Sequence, residues 1–136
     1  MFPTDGLPST ALLEKLSLCL KEDAEICAAY LHGSAVKGRL RATSDFDIAL
    51  LLIPGSHLSS FARLELAAHL EEVLGRPVDI GILTTKNVIY AKEVAWGGLL
   101  LFTRDQLASD RFIAQALSMY SDLQSNRREV LQAYAA

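Results

Sequence analysis

The sequence has no long apolar run and no marks of export. Its uninterrupted apolar stretches are only a few residues long, so nothing in it predicts a segment that spans a bilayer. The N-terminal segment MFPTDGLPSTALLEKL carries no basic residues ahead of an apolar stretch, so it predicts no secretory signal. We therefore expect a cytoplasmic protein that does not bind membranes.

Positive charge and cysteine are also scarce. The formal net charge of -3 gives no overall attraction for nucleic acid, so we expect no direct nucleic-acid partner. The only two cysteines, Cys19 and Cys27, are isolated and lack the spacing of metal ligands. They are most simply two small buried hydrophobic residues of a reduced cytoplasm, and a disulfide or redox pair is the alternative.

The residues that are present describe an ordinary globular chain. It has 136 residues, of which 51% are hydrophobic and 21% charged, and we interpret residues 1–136 as one domain. Apolar periodicity, capping residues and glycines predict helices and strands in alternation. The helices are expected over 10–22, 56–75, 85–98 and from Asp105 onward, and the strands over 26–33, 45–53, 76–83 and 99–103. This order predicts a small mixed α/β (α+β) domain, with about four strands flanked by helices and a long C-terminal helix.

Several side chains in these elements are predicted to be structural. The helix over 56–75 should bury a stripe formed by Leu58, Phe61, Leu64, Leu66, Ala68, Leu70 and Val73. Trp96 is most simply a core or helix-end packing residue, and a base-stacking platform is the alternative. His57 and His69 should lie at the solvent side of their helix. His32 is most simply structural, although it adjoins the candidate site.

Two aspartates open the strand over 45–53. Residues i and i+2 of a strand point to the same face, so Asp45 and Asp47 should direct two carboxylates into one space while Phe46 and Ile48 face the core. Two such charges repel unless a cation lies between them, and carboxylate oxygens are preferred ligands of Mg²⁺. The pair therefore predicts a magnesium site. The alternative is that both are ordinary exposed residues at the start of a strand.

A glycine–serine pair precedes these aspartates by ten residues. Gly33 and Ser34 end a strand and open a turn in which backbone N–H groups and a hydroxyl can approach a phosphate. A plain strand-end turn is the alternative. Since metal ions bridge phosphate oxygens, a phosphate-binding turn beside a carboxylate pair is coherent as one triphosphate site. We add as candidate nucleotide-binding residues Lys37, Arg39 and Ser44.

The stretch LHGSAVKGRLRATSDFDIALLL (31–52) resembles the signature of the DNA polymerase β nucleotidyltransferase superfamily. More narrowly it resembles the minimal nucleotidyltransferases, or MNT proteins, many of which are encoded beside a HEPN-domain ribonuclease toxin. The resemblance implies the nucleotidyltransferase fold, with Asp45 and Asp47 as the metal-binding pair. It also implies a third carboxylate on a neighbouring strand, which Asp79 in RPVDIGIL fits. Asp79 would help to hold the metal and would be the candidate acceptor of the incoming hydroxyl's proton.

The same resemblance implies an activity. The chain would be a Mg²⁺-dependent enzyme using two ions and ATP, and would transfer AMP to a hydroxyl, expected to be a tyrosine, of a HEPN toxin. It would thereby act as the antitoxin. Two alternatives stay open: an antitoxin that neutralises its partner by binding alone, and a nucleotidyltransferase acting on a small molecule such as an aminoglycoside.

Overall fold

The computed structural model describes residues 8–36 and 45–135. Within these ranges the chain alternates helices and strands in the predicted order. The helices are α1 (Thr10–Lys21), α2 (Ser60–Leu74), α3 (Val88–Gly97) and α4 (Gln106–Ala135), and the strands are β1 (Ile26–His32), β2 (Phe46–Leu52), β3 (Val78–Ile82) and β4 (Leu99–Thr103). The predicted fold class is confirmed, including the mixed sheet and the long last helix.

The strands form one mixed sheet in the order β3-β2-β1-β4. β1 is antiparallel to both β2 and β4, whereas β2 and β3 are parallel. A parallel pair needs a crossover connection, and α2 provides it between β2 and β3. The residues that begin β2 and β3 therefore lie at one end of the sheet, beside the last residue of β1.

Helices cover both faces of the sheet. Leu16 and Leu20 of α1 and Leu70 of α2 pack in one apolar cluster, whereas Ala91 and Val94 of α3 pack with Ala116 of α4 in another. Strand β2 contributes Phe46, Ile48 and Leu50 to the first cluster and Ala49 to the second. The alternation follows from the two-residue period of a strand, and it turns Asp47 toward the α3 and α4 side.

Side-chain caps fix where three helices begin. Ser9 accepts a hydrogen bond from the Leu12 backbone N–H at 3.2 Å, and Asn87 does the same for Tyr90 at 3.2 Å. Ser59 caps α2 by accepting from Ala62 at 3.1 Å, so this helix begins at Ser60. Our predicted start at 56 was therefore wrong. The helix ends as predicted before Gly75, whose left-handed φ of 69° suits glycine.

The predicted burial of three large side chains was also wrong. Phe61 and Leu64 of α2 are each 70% exposed, because α2 turns Leu66 and Leu70 toward the sheet instead. Trp96 lies in the last turn of α3, yet it is 79% exposed. His57 and His69 are exposed as expected.

The two cysteines carry free thiols. Cys27 is buried in β1 and Cys19 is partly buried in α1, which excludes the disulfide alternative. Burial, followed in effect by the nearby charge of Asp105, raises the pKa of the Cys27 thiol. Cys27 therefore remains a neutral thiol and packs as a small apolar residue, as predicted.

Helix α4 extends well past the body of the fold. Its 30 residues correspond to a rod of about 45 Å. Ser109 and Ala116 are its buried residues, and every described residue from Gln124 onward is exposed. No helix in the described ranges combines the length and the apolar character that crossing a membrane requires.

Candidate active site

Asp47 occupies the centre of the polar end of the sheet. It is the second residue of β2, where it pairs in register with His32 of antiparallel β1 on one side and with Asp79 of parallel β3 on the other. Neighbouring strands lie about 4.8 Å apart, and side chains in register share a face. The pairing therefore brings Asp47, Asp79 and His32 onto one face. Asp47 is partly buried, while Asp79 is exposed.

Gly33 closes the site above Asp47. It begins a short 3-10 turn (Gly33–Ala35) directly after β1, and its φ is 75°. A Cβ atom at this position would overlap the Asp47 carboxylate. Glycine is thus required both by the backbone conformation and by the close approach of a carboxylate. Ser34, which follows, is partly buried in the same turn.

A tyrosine missed in the sequence also belongs to this site. Tyr90 of α3 lies over β3, so close to Gly81 that a Cβ atom there would overlap its hydroxyl and ring. Its hydroxyl lies 3.0 Å from Nε2 of His32, and the two rings make an edge contact with centroids 5.3 Å apart. Gly81 was the available signal, because a glycine inside a strand marks a close approach by another group.

The surroundings of Asp47 disfavour its charge. Burial raises the pKa of Asp47, the opposing charge of His32 lowers it, and the like charges of Asp79 and Asp45 raise it further. The net direction is upward from the ordinary value of 3.8. Asp47 is therefore a carboxylate whose ionised form is stabilised if a cation binds beside it.

Burial and nearby negative charges also act on the Tyr90 hydroxyl. Burial raises the pKa of Tyr90 to about 12, with further upward contributions from Asp79, Asp47 and Glu93 and an opposing one from Arg63. The phenol therefore keeps its proton at neutral pH. It can donate a hydrogen bond to Nε2 of His32 when that nitrogen is unprotonated.

Asp45 lies immediately before β2 rather than within it. Its side chain is exposed, and its charge contributes to the raised pKa of Asp47. Among the described residues, no group of three or more histidine, cysteine, aspartate or glutamate side chains is already arranged to hold a metal ion. Lys37, Arg39 and Ser44 lie outside the described residues, between the Gly33 turn and Asp45.

The chemistry of these residues nevertheless fits a hard divalent cation. The oxygen ligands are carboxylates, and Asp47 is surrounded by two other acidic residues whose repulsion a cation would relieve. The absence of a side chain at Gly33 lets the turn lie directly against the Asp47 carboxylate. Such an end of a sheet can hold a metal together with the phosphates of a nucleotide.

A glycine turn against an aspartate-bearing strand pair is the arrangement that the resemblance to nucleotidyltransferases implied, and the family comparison agrees with it. The family described as Polymerase beta, Nucleotidyltransferase matches residues 14–107, and the chain belongs to this family. It has the nucleotidyltransferase fold. No curated protein sequence matches the chain.

Within that family the chain is similar to MNT proteins in solved toxin–antitoxin complexes. It is 29% identical to a chain of a toxin–antitoxin crystal structure with AMP-PNP, with a TM-score of 0.76, covering 91% of this chain and 98% of that one. For the toxin–antitoxin MntA–HepT the identity is 26% and the TM-score 0.72, over 94% of this chain and 100% of the other. For a tri-AMPylated Shewanella oneidensis HEPN toxin in complex with an MNT antitoxin the values are 27% and 0.71, over 93% and 98%. The resemblance to the MNT family is thus confirmed.

Proposed function

We propose that this chain is a Mg²⁺-dependent protein adenylyltransferase that moves AMP from ATP to a hydroxyl of a HEPN-domain toxin. By this modification it would act as the toxin's antitoxin in the cytoplasm. The family supports a transferase of nucleotides. The donor, the metal and the acceptor are proposed from the arrangement of the site and from what its structural relatives hold.

The observation that carries the proposal is the alignment of Asp47 with Asp79 across parallel strands. A protein that only binds a partner needs no such pair, because two carboxylates on one face cost free energy. Burial is the largest cause of the raised pKa of Asp47, and the further upward contributions of Asp79 and Asp45 are the sign of that cost. Asp45, two residues before Asp47, would complete the acidic set.

The Gly33 turn supports ATP as the donor. Its glycine conformation and the Ser34 hydroxyl suit the approach of a triphosphate, for which Lys37, Arg39 and Ser44 would provide further contacts. A structural relative was crystallised with AMP-PNP, an ATP analogue. We therefore assign the triphosphate to Gly33 and Ser34.

The reaction is an in-line displacement at the α-phosphorus. The oxygen of the acceptor hydroxyl forms a bond to that phosphorus as the bond to the bridging oxygen of the β-phosphate breaks, and pyrophosphate leaves. Asp79 is exposed at the edge of the site, where an incoming hydroxyl can reach it, and it accepts the hydroxyl proton. The products are the AMP ester of the acceptor and pyrophosphate.

Asp45, Asp47 and Asp79 are the residues that would hold the metal. Two Mg²⁺ ions would neutralise charge on the triphosphate and on the attacking and leaving oxygens. The protein's own contribution is position, because the β2–β3 register sets Asp47 beside Asp79 and Gly33 lets the turn lie against Asp47.

The acceptor is proposed to be a tyrosine of a HEPN protein. The relatives include an MNT antitoxin in complex with a tri-AMPylated HEPN toxin. The exposed distal part of α4 is our candidate for part of the docking surface, with Tyr134 87% exposed and Tyr120 partly buried closer to the body.

Mass spectrometry tests the proposal directly. The purified chain is incubated with ATP, Mg²⁺ and the HEPN protein encoded beside it, and the partner is analysed as intact protein and as peptides. We expect one or more AMP adducts on a tyrosine, and none with the Asp45→Asn, Asp47→Asn double variant. A partner that is inhibited in a stoichiometric complex without gaining an adduct would establish neutralisation by binding alone.

A further inference from the structure

A cavity beside the Gly33 turn has no role in the proposed phosphate chemistry. It has a volume of about 250 Å³ and is lined by His32, Gly33, Lys92, Glu93, Trp96 and Gly97. We call it the Trp96 cavity. Ligand pockets that enclose a whole drug-sized molecule measure roughly 300 Å³ or more. This cavity is thus of a size for one ring system rather than for an entire nucleotide.

Its position relative to Gly33 determines which ring system can reach it. Gly33 lines the cavity and also lies against the Asp47 carboxylate, so the cavity and this carboxylate adjoin the same residue. A nucleotide whose phosphates bind at the turn therefore has its nucleoside end within reach of the cavity.

Trp96 provides an aromatic surface there. Its side chain is 79% exposed, although indole is among the most apolar side chains, and no burial in the fold accounts for this position. Lys92 places its ammonium group 6.0 Å from the Trp96 ring centroid and 4.8 Å from that of Tyr120. These cation–π contacts hold the indole beside a second cavity of about 410 Å³, which Lys92, Trp96 and Tyr120 also line.

The charges of the Trp96 cavity favour a neutral ligand group. Lys92 and Glu93 bring one positive and one negative charge that offset each other, and the remaining titratable side chain of the lining, His32, lies with its Nε2 against the Tyr90 hydroxyl. Any of the nucleobases can stack on an aromatic side chain, since every base has a π face. The geometry points to Trp96 as the residue on which the base of the donor nucleotide stacks, a role that rests on the proposed function.

Affinities for two ligands test this role. In the presence of Mg²⁺ we would measure dissociation constants of ATP and of tripolyphosphate, which lacks the nucleoside. Trp96→Ala should weaken ATP binding by about 5- to 100-fold, the range for loss of one stacked base. Tripolyphosphate affinity should stay within about twofold of the wild type. Trp96→Phe, which keeps a ring, should restore most of the ATP affinity.

Ile89→Ala is the matched control. Ile89 lies on the same helix, is 42% exposed and is not among the residues lining the cavity, so its loss should leave both affinities unchanged. Trp96 is the only tryptophan in the chain, so fluorescence excited selectively at tryptophan, and not at the four tyrosines, reports on this position alone. ATP should quench it, and tripolyphosphate should not.

Each other outcome has a defined meaning. If both ligands bind and Trp96→Ala leaves their ratio unchanged, the stacking role is wrong while the nucleotidyltransferase proposal stands. If neither ligand binds the wild-type chain, both proposals fail. If fluorescence responds to the HEPN partner but not to ATP, Trp96 belongs to a protein interface and the stacking role is likewise excluded.

Discussion

Asp47 is held where its own charge is unfavourable. Its pKa lies above the ordinary value of 3.8, mainly because of burial. The charge of His32 lowers this pKa, and the like charges of Asp79 and Asp45 offset part of that lowering. A carboxyl group with a raised folded-state pKa favours folding most when it is protonated. Its contribution to stability is therefore lost as pH rises from below 3.8 through the folded-state value, and at neutral pH the ionised group is destabilising.

Asp47→Asn should accordingly stabilise the metal-free protein. Removing a disfavoured charge is expected to raise the melting temperature at pH 7 by about 2–5 °C, while transfer activity is lost. Thermal melts with and without Mg²⁺ measure the first effect, and Mg²⁺ should stabilise the wild type more than the variant. Asp122→Asn, at an exposed position of α4, is the control, and it should change neither the melting temperature nor the transfer activity. A variant that melts below the wild type in the absence of metal would contradict our account of Asp47.

Gly33 should tolerate no side chain. Alanine there meets a positive φ of 75° and overlaps the Asp47 carboxylate, so the turn must move away from the strand. We expect Gly33→Ala to reduce ATP affinity at least tenfold and to lower stability by about 1–3 kcal/mol. Gly55→Ala is a suitable control, because it shares a positive φ of 85° but has open space around it. Equal losses of ATP affinity in both variants would mean that backbone strain, not contact with Asp47, matters.

The hydroxyl of Tyr90 should act through His32. Tyr90→Phe removes the hydrogen bond of 3.0 Å to Nε2 but keeps the edge contact of the rings. Because one neutral hydrogen bond contributes about 0.5–1.5 kcal/mol, transfer should fall by about 2- to 10-fold. Single-turnover kinetics and the pKa of His32, followed by NMR titration, are the measurements. A normal rate with an unshifted His32 pKa would remove Tyr90 from the site.

At the scale of elements, the parallel pairing of β2 and β3 places the third carboxylate, Asp79, beside Asp47. Asp79 is the second residue of β3 just as Asp47 is the second residue of β2, and the register pairs them. Asp79→Asn should lower the rate of AMP transfer by about 10²–10⁴-fold, the range for loss of a general base, while ATP affinity changes less. Rapid-quench kinetics and equilibrium binding separate these effects. Lost ATP binding with a normal single-turnover rate would reverse the assignment.

The elements differ in how far the sequence could predict them. Strand β2 was clear because Pro54 and Gly55 end an unbroken apolar run that only a sheet covered on both sides can bury. The start of α2 was not clear from the sequence, because Ser56 and Ser59 are both possible N-caps. Only the folded structure shows that Ser59 is the cap. The exposure of Phe61 and Leu64 follows from which side of α2 faces the sheet, the side that carries Leu66 and Leu70, and no local pattern encodes this choice.

The residues of the site also differ in how far the sequence could predict them. Gly33, Asp45 and Asp47 are close in sequence and carry a recognisable spacing. The pairing of Asp79 with Asp47 depends on strand order, for which the family resemblance substituted, since the residues alone do not specify it. Tyr90 comes from a helix that is distant in sequence, and its contact with Gly81 and His32 exists only after α3 packs on the sheet.

At the scale of the whole molecule, the proposed site and the exposed part of α4 are separate features of the fold. The proposed phosphate site lies at the end of the sheet where β2 and β3 begin, whereas the distal part of α4 is exposed throughout. Val130 is 54%, Leu131 69% and Tyr134 87% exposed. Apolar side chains grouped at the end of a helix are suited to contact another protein.

Leu131→Asp should therefore weaken binding of the HEPN partner at least tenfold without changing ATP affinity or melting temperature. Leu107→Asp is the matched control, since Leu107 lies near the start of the same helix and is 60% exposed. Calorimetry with the purified partner measures binding. If both variants bind the partner as tightly as the wild type does, the docking surface lies elsewhere on the fold.

The contact between Gly81 and Tyr90 has a consequence for how this protein can evolve. A side chain at 81 and an aromatic ring at 90 exclude each other, because a Cβ atom on β3 would overlap both the ring and the hydroxyl of Tyr90. The two positions are therefore expected to covary among relatives: those with a side chain at 81 should carry a small residue at 90. In such relatives a smaller residue at 90 would also lack the hydroxyl contact to His32, so the loss of one contact at the site would entail the loss of the other.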